Sequence, residues 1–108
     1  MPRLYLAGPM TGIPDYNYPL FNAMAERLRA KGFEVENPAE NQAPACGSWA
    51  GYMRLALSQL MTCEVVAFLP NWEASRGARL EYQVAKELGL KICLVDDLLN
   101  PAVCKEAA

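Results

Sequence analysis

Apolar and polar positions in this chain follow two periods in turn. Arg3-Leu4-Tyr5-Leu6-Ala7, Glu64-Val65-Val66-Ala67-Phe68-Leu69 and Lys91-Ile92-Cys93-Leu94-Val95 are short, nearly unbroken apolar runs, the first two ended by Gly8-Pro9 and Pro70. Such runs predict strands buried on both faces. Phe33-Glu34-Val35-Glu36 alternates instead and predicts a shorter, more exposed strand broken by Asn37-Pro38. Between the strands the period lengthens. Leu20, Phe21, Met24, Ala25 and Leu28 keep helical spacing from Pro19, which suits a first turn, to Gly32, which suits a stop. Trp49, Tyr52, Met53, Ala56, Leu57 and Leu60 form the apolar side of a second helix capped by Ser48, with Trp49 assigned to the core. A third helix, starting after Ser75 and stopping near Gly89, carries Ala78, Val84, Ala85 and Leu88 on one face.

Strands alternating with helices predict βαβ units with right-handed crossovers. The expected fold is a single-domain α/β protein over residues 1–108, a flavodoxin/Rossmann-like three-layer sandwich. Its mainly parallel sheet should have about four to five strands, and roughly the last ten residues should form a short helix or tail. In such sheets ligands bind beyond the carboxyl ends of the strands, where strand order reverses. The loops in question follow Leu6, Val35 and Leu69, and all three are rich in Gly, Pro, Asn, Ser or Trp.

Against this framework Glu81 stands out. It lies three residues after Ala78 and three and four before Val84 and Ala85, so it is the one charge on a stripe that should face the interior. A buried carboxylate is costly unless paired or hydrogen-bonded. Ser75 and Gly77 lie about one turn upstream, so the positive end of the helix dipole should help keep Glu81 ionised, as suits a nucleophile or base. The structural alternative is an ion pair with Arg54, Arg76 or Arg79.

Other candidates come from the loops. Gly8-Pro9-Met10-Thr11-Gly12 follows the first strand as a phosphate-binding turn would. It is neither G-x-G-x-x-G nor a P-loop, so dinucleotide and ATP binding lose support; its glycines either admit a ligand close to the backbone or make a plain tight turn. Ser75-Arg76-Gly77 offers a hydroxyl and backbone N–H groups to an anion, and Ser75 is equally a helix cap. Trp72, Tyr16 and Tyr18 sit in loops, where they can stack on a nucleobase or pack against a second subunit.

Composition narrows the chemistry. The 108 residues contain no histidine, which excludes Ser-His-Asp and Cys-His arrangements and His-based metal sites within one subunit. Acid–base or nucleophilic work falls to carboxylates, Tyr, Lys or Cys. The four cysteines, Cys46, Cys63, Cys93 and Cys104, show no C-x-x-C spacing, so a zinc ribbon or thioredoxin-type motif is not expected. A net charge of −2 with no basic stripe argues against a partner that is a nucleic-acid polymer. With no signal peptide and no apolar stretch of membrane-spanning length, a cytoplasmic location away from membranes is expected.

Several blocks together resemble the nucleoside 2-deoxyribosyltransferase-like superfamily, specifically its small phage and bacterial DUF4406-type branch. They are Tyr5-Leu6-Ala7-Gly8-Pro9-Met10-Thr11-Gly12, Asn37-Pro38-Ala39-Glu40, Tyr52-Met53-Arg54, and Leu69 through Glu81 with Pro70-Asn71-Trp72-Glu73-Ala74-Ser75-Arg76-Gly77 inside it. The resemblance implies that Glu81 attacks the anomeric carbon of a (deoxy)ribonucleoside, expelling the base and forming a covalent glycosyl-enzyme. A second base or water then takes the sugar. It implies that Gly8, Pro9, Met10, Thr11 and Gly12 lie along sugar and base with Trp72 nearby. Ser75, Arg76 and Gly77 would surround a 5′-phosphate, because Ser-x-Gly before the glutamate looks like the monophosphate N-glycosidases. The implied ligand is a nucleoside or nucleotide, with no cofactor and no metal. A neighbouring subunit usually completes such sites, and a small domain gains from association, so a homodimer or larger homo-oligomer is expected.

One position departs from the pattern. The superfamily generally carries an aspartate eight residues before the acidic residue that opens the next strand; Glu64 opens the strand here, and eight earlier stands Ala56. Glu73, Glu40 or Tyr52 are the candidate substitutes for that aspartate. The alternatives to an enzyme are a nucleotide-binding module that has lost its acid and a purely structural α/β protein.

Overall fold

The computed structural model describes residues 2–41 and 47–100. Its elements run β1 (Arg3–Ala7), α1 (Tyr18–Ala30), β2 (Glu34–Glu36), α2 (Trp49–Leu60), β3 (Val65–Phe68), α3 (Arg76–Glu87), β4 (Lys91–Leu94) and α4 (Val95–Leu99), with 3-10 turns over Pro14–Asn17, Pro38–Glu40 and Trp72–Ala74. Each apolar run became a strand and each helical stripe a helix. Cys46 and Cys104, and the chain after Asn100, lie outside the described residues.

The four strands form one all-parallel sheet in the order β2-β1-β3-β4. This is the expected Rossmann-like α/β fold. Because side chains alternate along a strand, the two inner strands feed two separate cores. Leu4, Leu6, Val65, Ala67 and Leu69 face α1 and α4, where they meet Phe21, Ala25, Leu28, Val95 and Leu99. Tyr5, Ala7, Val66 and Phe68 face α2 and α3, where they meet Ala56, Leu60, Ala78 and Ala85. The serine caps act as read: Ser48 Oγ accepts the Gly51 N–H at 3.0 Å and Ser75 Oγ accepts the Ala78 N–H at 3.2 Å.

Two side chains depart from expectation. Leu88 lies one residue past the end of α3 and is 57% exposed rather than part of its buried stripe. Trp49 is the first residue of α2, not a core residue; it is half-buried and lies beneath the Arg76 guanidinium, 3.6 Å from the ring centroid.

Strand order reverses between β1 and β3, and the loops leaving those strands touch. A Cβ on Gly8 would lie 2.8 Å from Leu69 Cβ and 2.9 Å from its Cδ1. The contact is with a side chain rooted in the backbone of the next strand, so neither can move aside cheaply. Gly8→Ala should therefore overpack the crevice and destabilise the fold by about 1–3 kcal/mol, read as a lowered midpoint in urea denaturation with an unchanged m-value.

Candidate active site

Tyr5 and Glu81 reach each other across the β1–α3 interface because each is the polar member of an apolar series. Tyr5 takes the α2/α3 side of β1, and Glu81 sits between Ala78 and Ala85 on the face of α3 that covers it. The Tyr5 hydroxyl donates to Glu81 Oε2 at 2.5 Å, with Tyr5 1% and Glu81 5% exposed. None of the three arginines is the partner. Arg79 donates to the Glu73 carbonyl, Arg76 stacks on Trp49, and Arg54 is exposed.

Burial, not the helix dipole, governs the charge on Glu81. It is the sixth residue of α3, beyond the first turn in which a helix terminus acts strongly. Desolvation raises its pKa from 4.5 to about 7, and the Tyr5 hydrogen bond pulls in the opposite direction. The fully ionised carboxylate expected from the dipole is thus corrected to one that titrates near neutrality. Burial, then the neighbouring Glu81, pushes the Tyr5 phenol well above its ordinary range, so it stays a donor.

The pair opens onto a cavity of 390 Å³ at the β1/β3 switch point, within the range that small-molecule sites occupy. Its walls come from every loop the topology brings there. Gly8, Met10 and Thr11 follow β1; Pro38 and Asn41 follow β2; Trp49, Tyr52, Met53 and Ala56 lie on α2; Ser75 and Gly77 precede Glu81. Tyr16 and Tyr18 also line it, their rings 5.9 Å apart. The segment that carries them is held in an unfavourable backbone: Asp15, Tyr16 and Asn17 have φ of 53°, 53° and 62°, a left-handed region costing about 1 kcal/mol or more per non-glycine residue. The Asn17 amide anchors it by donating to the Pro9 carbonyl at 3.0 Å. Gly77 keeps α3 close to α2, since a Cβ there would lie 3.1 Å from Met53 Sδ.

A second cavity of 480 Å³ adjoins the first through shared walls of Thr11, Trp49, Ser75 and Gly77, and is lined further by Pro9, Ile13, Asn71, Ala74 and Arg76. The proposed site residues therefore divide. Gly8, Met10, Thr11, Ser75, Gly77 and Glu81 line the inner cavity, whereas Pro9 and Arg76 line only the outer one. Gly12 lines neither, and a Cβ there would meet open space. Trp72 is also corrected: it folds back on the sheet's α2/α3 side, 4.6 Å from Phe68 and 5.0 Å from Tyr82, ring centre to ring centre. The apolar body of Trp72 has a better partner there than in the crevice.

The cavity also takes in Tyr5, Trp49 and Met53, to which the sequence assigns no role in the site, and Tyr52, a candidate only as a substitute for the missing aspartate. Tyr5 alone carried a usable signal, because a tyrosine in a fully buried strand needs a partner for its hydroxyl. Of the acids considered in place of an aspartate at Ala56, Glu40 is held by Arg29 at 2.8 and 2.9 Å and Glu73 lines neither cavity. Tyr52 remains in the wall. Among the described residues no group of three or more His, Cys, Asp or Glu side chains gathers to hold a metal, and no helix is long and apolar enough to cross a membrane.

Comparison with curated proteins gives no significant match. The model of the family described as a domain of unknown function, DUF4406, matches residues 2–94, which takes in β1 to β4 and every residue named in the two cavities. The chain belongs to the DUF4406 family.

Proposed function

We propose that the protein cleaves the N-glycosidic bond of a (deoxy)nucleoside 5′-monophosphate through a covalent glycosyl–Glu81 intermediate, as an N-glycosidase or a 2-deoxyribosyltransferase. The observation that carries this reading is the buried Glu81 carboxyl, held by Tyr5 at the floor of an aromatic-walled cavity at the switch point. In the first step a Glu81 oxygen bonds to C1′ while the C1′–N bond breaks and its electron pair leaves with the base. Water or a second base then displaces Glu81. Tyr5 orients the carboxylate and favours its charged form. The 5′-phosphate lies toward Ser75 and Gly77, where the two cavities meet, with Arg76 just beyond. Base release from a panel of (deoxy)nucleoside 5′-monophosphates, compared in wild type and Glu81→Gln, tests the reading.

Tyr5→Phe provides a graded check. Removing the one bond that lowers the Glu81 pKa should move the acid limb of the kcat/KM–pH profile, centred near pH 7 in wild type, to higher pH. At pH 7 the rate should fall about tenfold or more, the scale of a hydrogen bond to a charged group. An unmoved acid limb would show that another group sets it.

Ala56 favours a second reading. It is 9% exposed and lines the inner cavity where an acid is wanted, and Glu81 is the one carboxylate among the described residues lining that cavity. A nucleotide-binding module that does not turn over would look like this. In that case calorimetry detects nucleotide binding to wild type with no free base in either protein. We further propose a homo-oligomer; light scattering at micromolar concentration should give at least twice the 11.9 kDa chain mass.

A further inference from the structure

We infer that the preferred ligand carries a second phosphate beyond its 5′-phosphate, so that the substrate class is a nucleoside 5′-diphosphate or its derivative; this rests on the nucleotide reading above. The inner cavity, at 390 Å³, is already of a size for a nucleoside with one phosphate at its end, yet the space does not stop there. A second cavity of 480 Å³ lies against it and shares Thr11, Trp49, Ser75 and Gly77 as walls. Gly77 lines both cavities, and a Cβ there would press on Met53 Sδ at 3.1 Å.

The charge is distributed to match. Among the described residues the inner walls carry no Lys or Arg, and the one cationic side chain lining either cavity is Arg76, in the outer one. Arg76 has no carboxylate partner among the described residues. Stacking on Trp49, the residue shared by both cavities, instead fixes its guanidinium plane. A guanidinium held by its face keeps its N–H edge for an acceptor, and phosphate oxygens match that edge in a bidentate way. Held 3.6 Å from the ring centroid, it has lost much of the freedom that binding would otherwise cost. Thr11, which lines both cavities, adds a hydroxyl.

The test uses Glu81→Gln protein, which should bind without turnover, and titration calorimetry with the mono- and diphosphate of the same nucleoside. The diphosphate should bind about tenfold to hundredfold more tightly, the scale of a charge-assisted bidentate contact. Arg76→Ala, and separately Ala74→Phe, which fills the outer cavity from an exposed position, should each bring the ratio of the two affinities close to one. Equal affinity for the two ligands overturns the inference, as does a preference that survives both substitutions. A diphosphate preference, with no base released from either ligand by the wild-type protein assayed in parallel, sustains the inference and removes the enzymatic reading. Base release from the monophosphate by wild type, with no diphosphate preference in Glu81→Gln, does the reverse.

Discussion

Glu81→Gln should abolish base release and, above neutral pH, make the protein more stable. The activity loss follows from chemistry: an amide cannot form the glycosyl ester, and removing a nucleophile costs about three orders of magnitude or more. The stability gain follows from burial. Glu81 is 5% exposed and its pKa is raised from 4.5 to about 7, so the fold holds it protonated where the unfolded chain would ionise it. Below pH 4.5 both states carry the proton, and neutral carboxyl and amide are nearly equivalent guests. Between pH 4.5 and 7 the native state binds the extra proton, so wild-type stability falls by about 1.4 kcal/mol per pH unit from this group. Above 7 the loss is complete, at about 3 kcal/mol.

Glutamine keeps the shape and an acceptor for the Tyr5 hydroxyl without the charge. The variant's melting temperature should therefore match wild type near pH 4.5, separate as pH rises, and stand about 10 °C or more higher at pH 8. Thermal denaturation across that range decides it, with base release assayed on the same samples. Parallel stability curves for the two proteins would mean that the Glu81 carboxyl is not desolvated. A stabilised variant that still releases base would mean that Glu81 is not the nucleophile. Stability surrendered at one buried carboxylate is the pattern expected where function sets the residue.

Much of this arrangement can be read from residue order, and the part that cannot has a common cause. Helix starts were visible because Ser48 and Ser75 are caps whichever way the helix faces, and Glu81 was visible because a charge on an apolar stripe is conspicuous. Its partner was hidden. Inner parallel strands are buried on both faces, so Leu4-Tyr5-Leu6-Ala7 reads as uniformly apolar and does not reveal that Tyr5 and Ala7 face α3 while Leu4 and Leu6 face α1. Register across the β1/β3 switch decides that, and register is a tertiary property.

The two tryptophans show the same limit. Trp49 fits a helical stripe, yet it opens α2 at the rim of the cavity; Trp72 sits in a loop, yet that loop turns back, stacks it on Tyr82 and tilts it against Phe68. Helical position and loop position each predicted the wrong environment, because neither says which way a terminus leans. The Glu81 charge state failed for a related reason. The dipole was legible from Ser75 and Gly77, but the depth of burial that outweighs it was not.

Ala56→Asp should turn a slow reaction into a faster one, and is the sharpest test between enzyme and binding module. Ala56 lies on α2 in the wall of the cavity that holds Glu81, and its 9% exposure means an aspartate there would also be desolvated. Two desolvated carboxyls in the wall of one cavity cannot both ionise easily, so the pair should share a proton. That shared proton is what a two-displacement glycosidic mechanism uses, one carboxylate to attack C1′ and one acid to protonate the departing base. Positioned proton transfer contributes about 10²–10⁴ in rate, so base release should rise by that order, and kcat/KM should become bell-shaped with pH. The substitution should also lower the melting temperature, since a second buried carboxyl has no Tyr5 of its own. Ala56→Asn, which restores size and polarity without a titratable proton, should give little of the acceleration, and Ala56→Asp combined with Glu81→Gln should give none. If the folded aspartate variant is no faster than wild type, the missing acid is not what limits the reaction. If wild type and aspartate variant both bind nucleotide and neither releases base, the cavity is a binding site and Glu81 is a buried ligand contact.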